Sequence, residues 1–433
     1  MVVLIINFSS KAQEVVREEN LGLIGKGQSL LLDTSNPKIA VFDKESINLI
    51  PVNPKSEIST YNIKGLNNKN IVGYSISDGS DITFYIEKKN RYIDFQLIRT
   101  EKNTQRYGRV NLKLPSNEEV ISRFSTMNDF YILTVTKNSS TLNFYCFNAV
   151  FLKEKWSLDF SNSNELETSL YEALKSKLDQ TGTINSNLLT NDIITINNSL
   201  ELRKLESINS SKIFINKSNV HITIDSNNSF TSLISISLSE KKYSLKKVSY
   251  PGFCISTNQN TNSFIAGNLI FTARYCSDGI ALKASSLEGE KLMDWTITSA
   301  YESWNNTFLY GDEFLVNTSM SNIISTLSEC YAGIIVNKIG NEIMIALGGQ
   351  KSVESSEIKP GEKTYFEGWL LFPISHDELS PKKQNSQFIY DNYFRYFSEV
   401  QSASFQKTFS LGNNLYFSNY DLNNGQFAII RFD

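Results

Sequence analysis

Only two histidines, His221 and His376, stand in the 433-residue sequence, so any imidazole base or ligand is one of them. They lie far apart and neither has a partner at metal-ligand spacing, which excludes a histidine-rich zinc site and a HExxH helix. A Ser-His-Asp triad would need one of them as its base. His221 alternates within Val220-His221-Ile222-Thr223-Ile224 and reads as a residue on a strand face, while His376, beside Asp377 and Glu378, reads as a solvated loop residue. Gly348-Gly349-Gln350-Lys351-Ser352 has the end of a phosphate loop but lacks the glycine before the lysine and the first glycine at its spacing, so it reads as strand end and turn. Asp421-Leu422-Asn423-Asn424-Gly425 starts like a calcium loop, yet no Glu follows at position 12, and a tight turn accounts for it. Asp78 with Asp81, and Asp312 with Glu313, are neighbouring turn carboxylates that read as solvated. No catalytic constellation, metal or cofactor is expected from these residues.

Charge and composition narrow the partners. Charged residues make up 20% of the chain and the net charge is −3, with no basic block, so neither nucleic acid nor an anionic membrane is indicated. A hydrophobic content of 40%, with 27 Phe, 20 Tyr and 4 Trp, is enough for a sizeable core. No stretch approaches the roughly 18 to 20 apolar residues of a membrane span. At the start, the apolar run Val2 to Ile6 is followed by Ser10 and Ala12 at the −3 and −1 positions of a cleavage site, so residues 1–12 read as the remnant of an export signal. The alternative is a cytoplasmic chain in which Val2 to Ile6 is a first strand.

The elements that would carry any site are strands. Phe130 to Thr136 and Leu142 to Asn148 are runs of β-branched and aromatic residues joined by a polar turn, and Trp156, Leu158 and Phe160 then alternate with Ser157 and Asp159. Both parities of the hairpin strands are apolar, so this small sheet needs a sheet-like neighbour on each side. The pattern returns along the chain. The turn before the last strand of each unit falls near residues 54, 102, 152, 238, 287, 340 and 423, with four of the six intervals close to 50 residues. Units of several short strands at that period are the mark of blades that bury their faces by stacking. Met320 to Ser328 reads as a strand-interrupting helix, which leaves six or seven blades open.

On this spacing the chain resembles β-propeller proteins over nearly its whole length, and most nearly exported propeller-like proteins of no named family. It lacks a Trp-Asp pair closing each blade, a Gly-Gly doublet per repeat, a Tyr-Trp-Thr-Asp run and a Ser-x-Asp-x-Gly-x-Thr-Trp box. The expected fold is all-β, a β-propeller of seven or six blades with a short helical insert, forming one domain over 13–433 with inserts at 161–200 and 351–387. In the first insert Asn164 is expected to cap a helix whose apolar face is Leu166, Leu170, Leu174 and Leu178. The second runs into an aromatic stretch in which Tyr390, Tyr393 and Phe394 are candidate binding residues, with core packing as the alternative.

Four cysteines, Cys146, Cys254, Cys276 and Cys330, can pair in three ways. Cys146 shares its parity with Leu142 and Phe144 and reads as a buried small hydrophobe. Cys254 falls in a link between blades and Cys276 in the turn between the second and third strands of the next, positions that open on the same face. A Cys254–Cys276 disulfide is therefore expected if the protein is exported. Two functions follow: a non-catalytic binding or scaffold protein presenting loops to a protein or glycan, or a carbohydrate-active enzyme with carboxylates contributed by different blades. Both inserts are expected on one face, as the binding face.

Overall fold

The computed structural model describes residues 13–21, 23, 28–32, 36–63, 70–78, 81–87, 93–110, 112–126, 128–163, 165–175, 194–197, 207–208, 210–252, 260–299, 308–310, 313–315, 319–339, 342–353, 364–375, 379, 404–411, 414–421 and 425–432. The fold is a β-propeller of seven sheets. Blade 1 is β2 (Gln28–Leu32), β3 (Lys38–Phe42), β4 (Ser46–Pro51) and β5 (Ser59–Asn62). Blade 2 is β6 (Asn70–Ser77), β7 (Asp81–Glu87), β8 (Ile93–Arg99) and β9 (Thr104–Arg109). Blade 3 is β10 (Glu118–Thr126), β11 (Asp129–Thr136), β12 (Thr141–Asn148) and β13 (Phe151–Asp159). Blade 4 is β15 (Ser211–Asn216), β16 (Asn219–Ile224), β17 (Phe230–Ser237) and β18 (Lys242–Ser249), with β14 (Ile194–Asn197) added before β15. Blade 5 is β19 (Asn260–Ala266), β20 (Leu269–Cys276), β21 (Gly279–Ser286) and β22 (Lys291–Ile297). In each the strands pair antiparallel in sequence order, β14 excepted.

The last two blades are assembled differently. Blade 6 orders β25 (Tyr331–Ile339), β26 (Glu342–Val353), β27 (Thr364–Ser375), β23 (Phe308–Tyr310) and β24 (Glu313–Leu315), so its fourth strand precedes the other three in sequence. Blade 7 orders β28 (Ser404–Leu411), β29 (Asn414–Asp421), β30 (Gln426–Phe432) and then β1 (Gln13–Asn20), brought from the other end of the chain. This corrects the turn spacing. The turns near 54, 102, 152, 238 and 287 do precede a last strand, but that near 340 joins the first two strands of blade 6 and that near 423 joins the second and third of blade 7. The span 351–387, expected as an insert, therefore holds the end of β26 and all of β27.

By its contacts the chain divides into two compact units. Residues 1–69, 199–201 and 385–433 form one, and 70–198 with 202–384 the other. The first holds blades 1 and 7, whose core joins Ile39, Val41 and Ile50 to Phe409, Phe427 and Ile429. Within it Arg17 of β1, 6% exposed, donates from Nη1 to three carbonyls of the β4–β5 turn: Pro51 at 3.1 Å, Asn53 at 3.2 Å and Ser56 at 2.9 Å. A bulge between Val15 and Arg17 in the pairing with β30 makes this reach possible. By shifting the alternation one step it leaves Val15 exposed and turns Arg17 inward.

The second unit holds blades 2 to 6. Blade 3 has the neighbours its two apolar parities require: Phe130, Ile132 and Tyr145 pack with Tyr85, Phe95 and Leu97 of blade 2. Tyr131, Leu133 and Phe144 face Ile213, Ile222 and Ile234 of blade 4. Turns stitch the blades as well. Asn128 and Lys217 both take positive φ (68° and 43°) in the first turn of blades 3 and 4. Their carbonyls accept from the end of the preceding blade's first strand, Ile76 N at 2.8 Å and Thr126 Oγ1 respectively. Ala149, at φ 49°, has its N–H bound to Ser75 Oγ at 3.0 Å and its carbonyl to Tyr85 Oη at 2.5 Å. These bonds offset the strain of a left-handed alanine. Helix α2 (Met320–Ser328) lies where the apolar pattern placed it, capped by Ser319, with Met320, Ile323, Ile324 and Leu327 buried.

Candidate functional site

The link from blade 3 to blade 4 carries both a helix and an added strand. Helix α1 (Leu170–Lys175) is capped by Ser169, whose Oγ accepts from Glu172 N at 3.3 Å. The run Ser169-Leu170-Tyr171-Glu172 has the residue types of a capping box. The helix thus starts later than the Asn164 cap expected from sequence; Asn164 lies outside the described residues, and Leu166 packs on the core from the loop before the helix. The β11–β12 turn holds the first helical amides, with Leu170 N donating to Ser140 Oγ at 3.0 Å and Tyr171 N to Ser139 O at 3.1 Å. Leu170, Ala173 and Leu174 are buried in the core of blades 3 and 4.

The same link then supplies β14, which pairs in parallel with β15 over Ile194–Asn197 opposite Lys212–Ile215. Thr195 Oγ1 meets Ser122 Oγ of β10 at 2.5 Å. A register shift between Val120 and Ser122 falls just before this contact, the kind of bulge that re-aims a side chain. The link is thus anchored twice, by a helix on blade 3 and by a strand on the free edge of blade 4.

Behind that edge runs a dry polar seam. Lys212 of β15 is fully buried, with Nζ 2.8 Å from Asn262 Oδ1 of β19 and 3.3 Å from Asp225 Oδ2. Asp225 also accepts from Tyr250 Oη at 2.6 Å, Ser263 Oγ at 2.7 Å and Ser263 N at 3.0 Å. Asn262 Nδ2 donates to Ala332 O of β25 at 2.9 Å, so one network joins blades 4, 5 and 6. Burial pulls the pKa of Lys212 below its ordinary value against the opposing attraction of Asp225, and pushes that of the Tyr250 phenol up.

The residues singled out from sequence have the following places. Tyr390, Tyr393, Phe394, His376 and Cys254 lie outside the described residues. His221 is buried on β16 with Nδ1 2.9 Å from Ser235 Oγ of β17, a strand-face residue whose pKa burial lowers. Gly348 to Ser352 continue β26, and Gly349 lies so close to β25 that a Cβ there would stand 2.3 Å from Tyr331 O. Gly425 closes the Asp421 turn at φ 73°, its N–H donating to Asp421 O at 2.9 Å. Asp81 pairs with Arg99 at 3.5 Å across β7 and β8. Cys146 and Cys330 are buried thiols outside any disulfide, burial pushing Cys146 up to about 12.

Buried carboxylates that sequence reasoning missed are each held by the fold. Glu118 accepts from Tyr145 Oη at 2.8 Å and Thr134 Oγ1 at 2.5 Å, and Asp129 from Lys153 Nζ at 2.7 Å and Asn148 Nδ2 at 2.8 Å. Asp94 takes Tyr107 Oη and Arg109 Nε, and the Tyr107 phenol is pushed up to about 12 by desolvation and by that carboxylate. Among the described residues no three His, Cys, Asp or Glu side chains gather as metal ligands, and no helix is long and apolar enough to cross a membrane.

No family model and no curated protein matches the sequence. Solved structures similar to the chain include a prolyl endopeptidase at 8% identity, with 92% of this chain and 46% of that one covered and a TM-score of 0.38. The chain thus spans about half the length of that protein. The β-propeller domain of the Trilobed protease from Pyrococcus furiosus is 8% identical over 94% of this chain and 96% of that one, at a TM-score of 0.36. The WD40 domain of SCAP from fission yeast is 11% identical over 91% and 81%, at 0.35. At these scores the fold assignment rests on the seven sheets themselves.

Proposed function

We propose that this protein is a non-catalytic binding scaffold in which the blades present the link between blades 3 and 4 to a protein or glycan partner. The observation that carries the reading is the double anchoring of that link, by α1 on the β11–β12 turn and by β14 on β15. We assign the binding determinants to residues 176–193, the stretch of sequence between these two anchors, because long connections on rigid scaffolds tend to carry binding. We further propose export and a Cys254–Cys276 disulfide, a pairing supported by the burial of Cys146 and Cys330 outside any disulfide.

The test replaces residues 176–193 by a Gly/Ser segment of equal length, which leaves α1 and β14 in place. Intact chain and variant are compared on a glycan array and in quantitative pull-downs, with thermal midpoints measured alongside. Loss of the recovered partners at an unchanged midpoint is expected. Equal capture by both proteins would sink the proposal.

A further inference from the structure

Three groups in the polar seam stand in the order that amide exchange needs. The amine of Lys212 points at the side-chain carbonyl of Asn262, Nζ to Oδ1 at 2.8 Å, which puts the amine within about 4.0 Å of Cγ once the carbonyl bond is added. Asp225 Oδ2 lies 3.3 Å from the same Nζ, within reach as a proton carrier. The far side of the amide is held too, because Nδ2 donates to Ala332 O at 2.9 Å. All three side chains are sealed from water, Lys212 and Asn262 at 0% exposure and Asp225 at 4%. Two residues further along the same strands, Phe214 and Phe264 meet edge to face at 5.0 Å and close that side of the seam.

We propose that Lys212 and Asn262 condense into an intramolecular amide, Nζ to Cγ, that joins blades 4 and 5 covalently with release of ammonia. The ammonium first passes one proton to Asp225, giving a neutral amine and a neutral acid. Burial favours this state, since it lowers the basicity of Lys212. The amine lone pair adds to Cγ and the carbonyl electrons move to Oδ1. Asp225 gives its proton to Nδ2 and takes a second one from the attacking nitrogen. The carbonyl reforms as the Cγ–Nδ2 bond breaks, ammonia departs, and it carries the last proton away as ammonium, leaving Asp225 a carboxylate. One nitrogen and four hydrogens leave as ammonium, one of them the proton the lysine carried as its charge, so the neutral chain is lighter by one ammonia, and nothing is oxidised or reduced. The rigid, dry setting supplies what the uncatalysed reaction lacks, a held geometry and the exclusion of competing water.

Intact-mass spectrometry of the full chain, reduced and unfolded after purification, tests this directly. A mass about 17 Da below the calculated value is expected for one lost ammonia. Trypsin should fail to cut after Lys212 and yield one branched peptide containing both residues. Lys212→Arg, Asn262→Ala and Asp225→Asn should each restore the full mass and the separate peptides. The wild-type mass decides even if a variant fails to fold. Unmodified Lys212 and Asn262 peptides from the folded wild-type chain would overturn the proposal, as would a deficit that maps elsewhere.

Discussion

Removing the Arg17 side chain should release β1 from blade 1 without unfolding the rest of the chain. Arg17 makes three hydrogen bonds to the carbonyls of Pro51, Asn53 and Ser56, and pairs with Glu19 at 2.9 Å. Only the Pro51 bond is fully enclosed, so its loss costs the range for a buried bond to a charged group, about 1.5–3 kcal/mol. The other two carbonyls and Glu19 can be rehydrated and add roughly 0.5 kcal/mol each. Arg17→Ala should therefore weaken the local hold by about 3–4.5 kcal/mol in total. Hydrogen exchange read by mass spectrometry over peptides of β1 and β30 reports this opening directly. Amides paired between Gln13–Asn20 and Gln426–Phe432 should exchange roughly a hundred to a thousand times faster, from a tenfold change per 1.4 kcal/mol, while those of blades 2 to 6 keep their protection. Arg17→Lys should fall between, because an ammonium cannot span three carbonyls in the way the planar fork does. Acceleration below about threefold in the alanine variant would refute the assignment of Arg17 as the tie.

Gly73→Ala should destabilise the unit of blades 2 to 6, since its Cβ would stand 2.6 Å from the Phe130 ring and that ring is stacked on Tyr85 at 4.1 Å. Overpacking of about 1–3 kcal/mol should lower the thermal midpoint by several degrees, and an unchanged midpoint would show the interface to be looser than described. His221 has a folded-state pKa below the ordinary 6.5 because it is buried, so the folded state takes up fewer protons than the unfolded one as pH falls. Its contribution is intact above pH 6.5 and is lost as pH drops through that value. His221→Gln should flatten the fall in urea midpoint between about pH 7.5 and about pH 5, and an identical slope in both proteins would count against it. If the Cys254–Cys276 bond forms, Cys254→Ser should cost roughly 3 kcal/mol under non-reducing conditions and nothing under reducing ones; thiol labelling of both residues in the exported protein would rule the bond out.

The parts legible in the sequence were those whose physics is local. Blade 3 showed itself because both parities of β11 and β12 are apolar, and both meet a neighbouring blade. β1 was hidden for three reasons: half of its sequence QEVVREEN is charged, as suits an edge strand, its bulge breaks the alternation, and its partner is at the far end of the chain. The turns near 340 and 423 looked like their predecessors, but a turn does not say which two strands it joins when the fourth strand comes from elsewhere. The Ser169 cap was readable in principle, since Ser169-Leu170-Tyr171-Glu172 competes with the Asn164 start and lies closer to the buried Leu170 and Leu174. The Lys212 seam left a weaker trace, one lysine inside the apolar strand SKIFIN; its partners Asp225 and Asn262 become neighbours only when three blades stack.

The pairing of β1 with β30 also sets a schedule. Gln13 faces Phe432 and Asn20 faces Gln426, so β1, once synthesised, waits for β28, β29 and β30 before its blade exists. At about 5–20 residues per second that wait is roughly 20–80 s. For all of it the backbone donors and acceptors of β1 face the crowded surroundings of a growing chain. Its four charged residues, Glu14, Arg17, Glu18 and Glu19, then serve a second purpose, discouraging β1 from pairing with the β1 of another nascent chain on the same message. Blade 7 is in this sense a late joint, and its completion is open to timing by whatever binds β1 in the meantime.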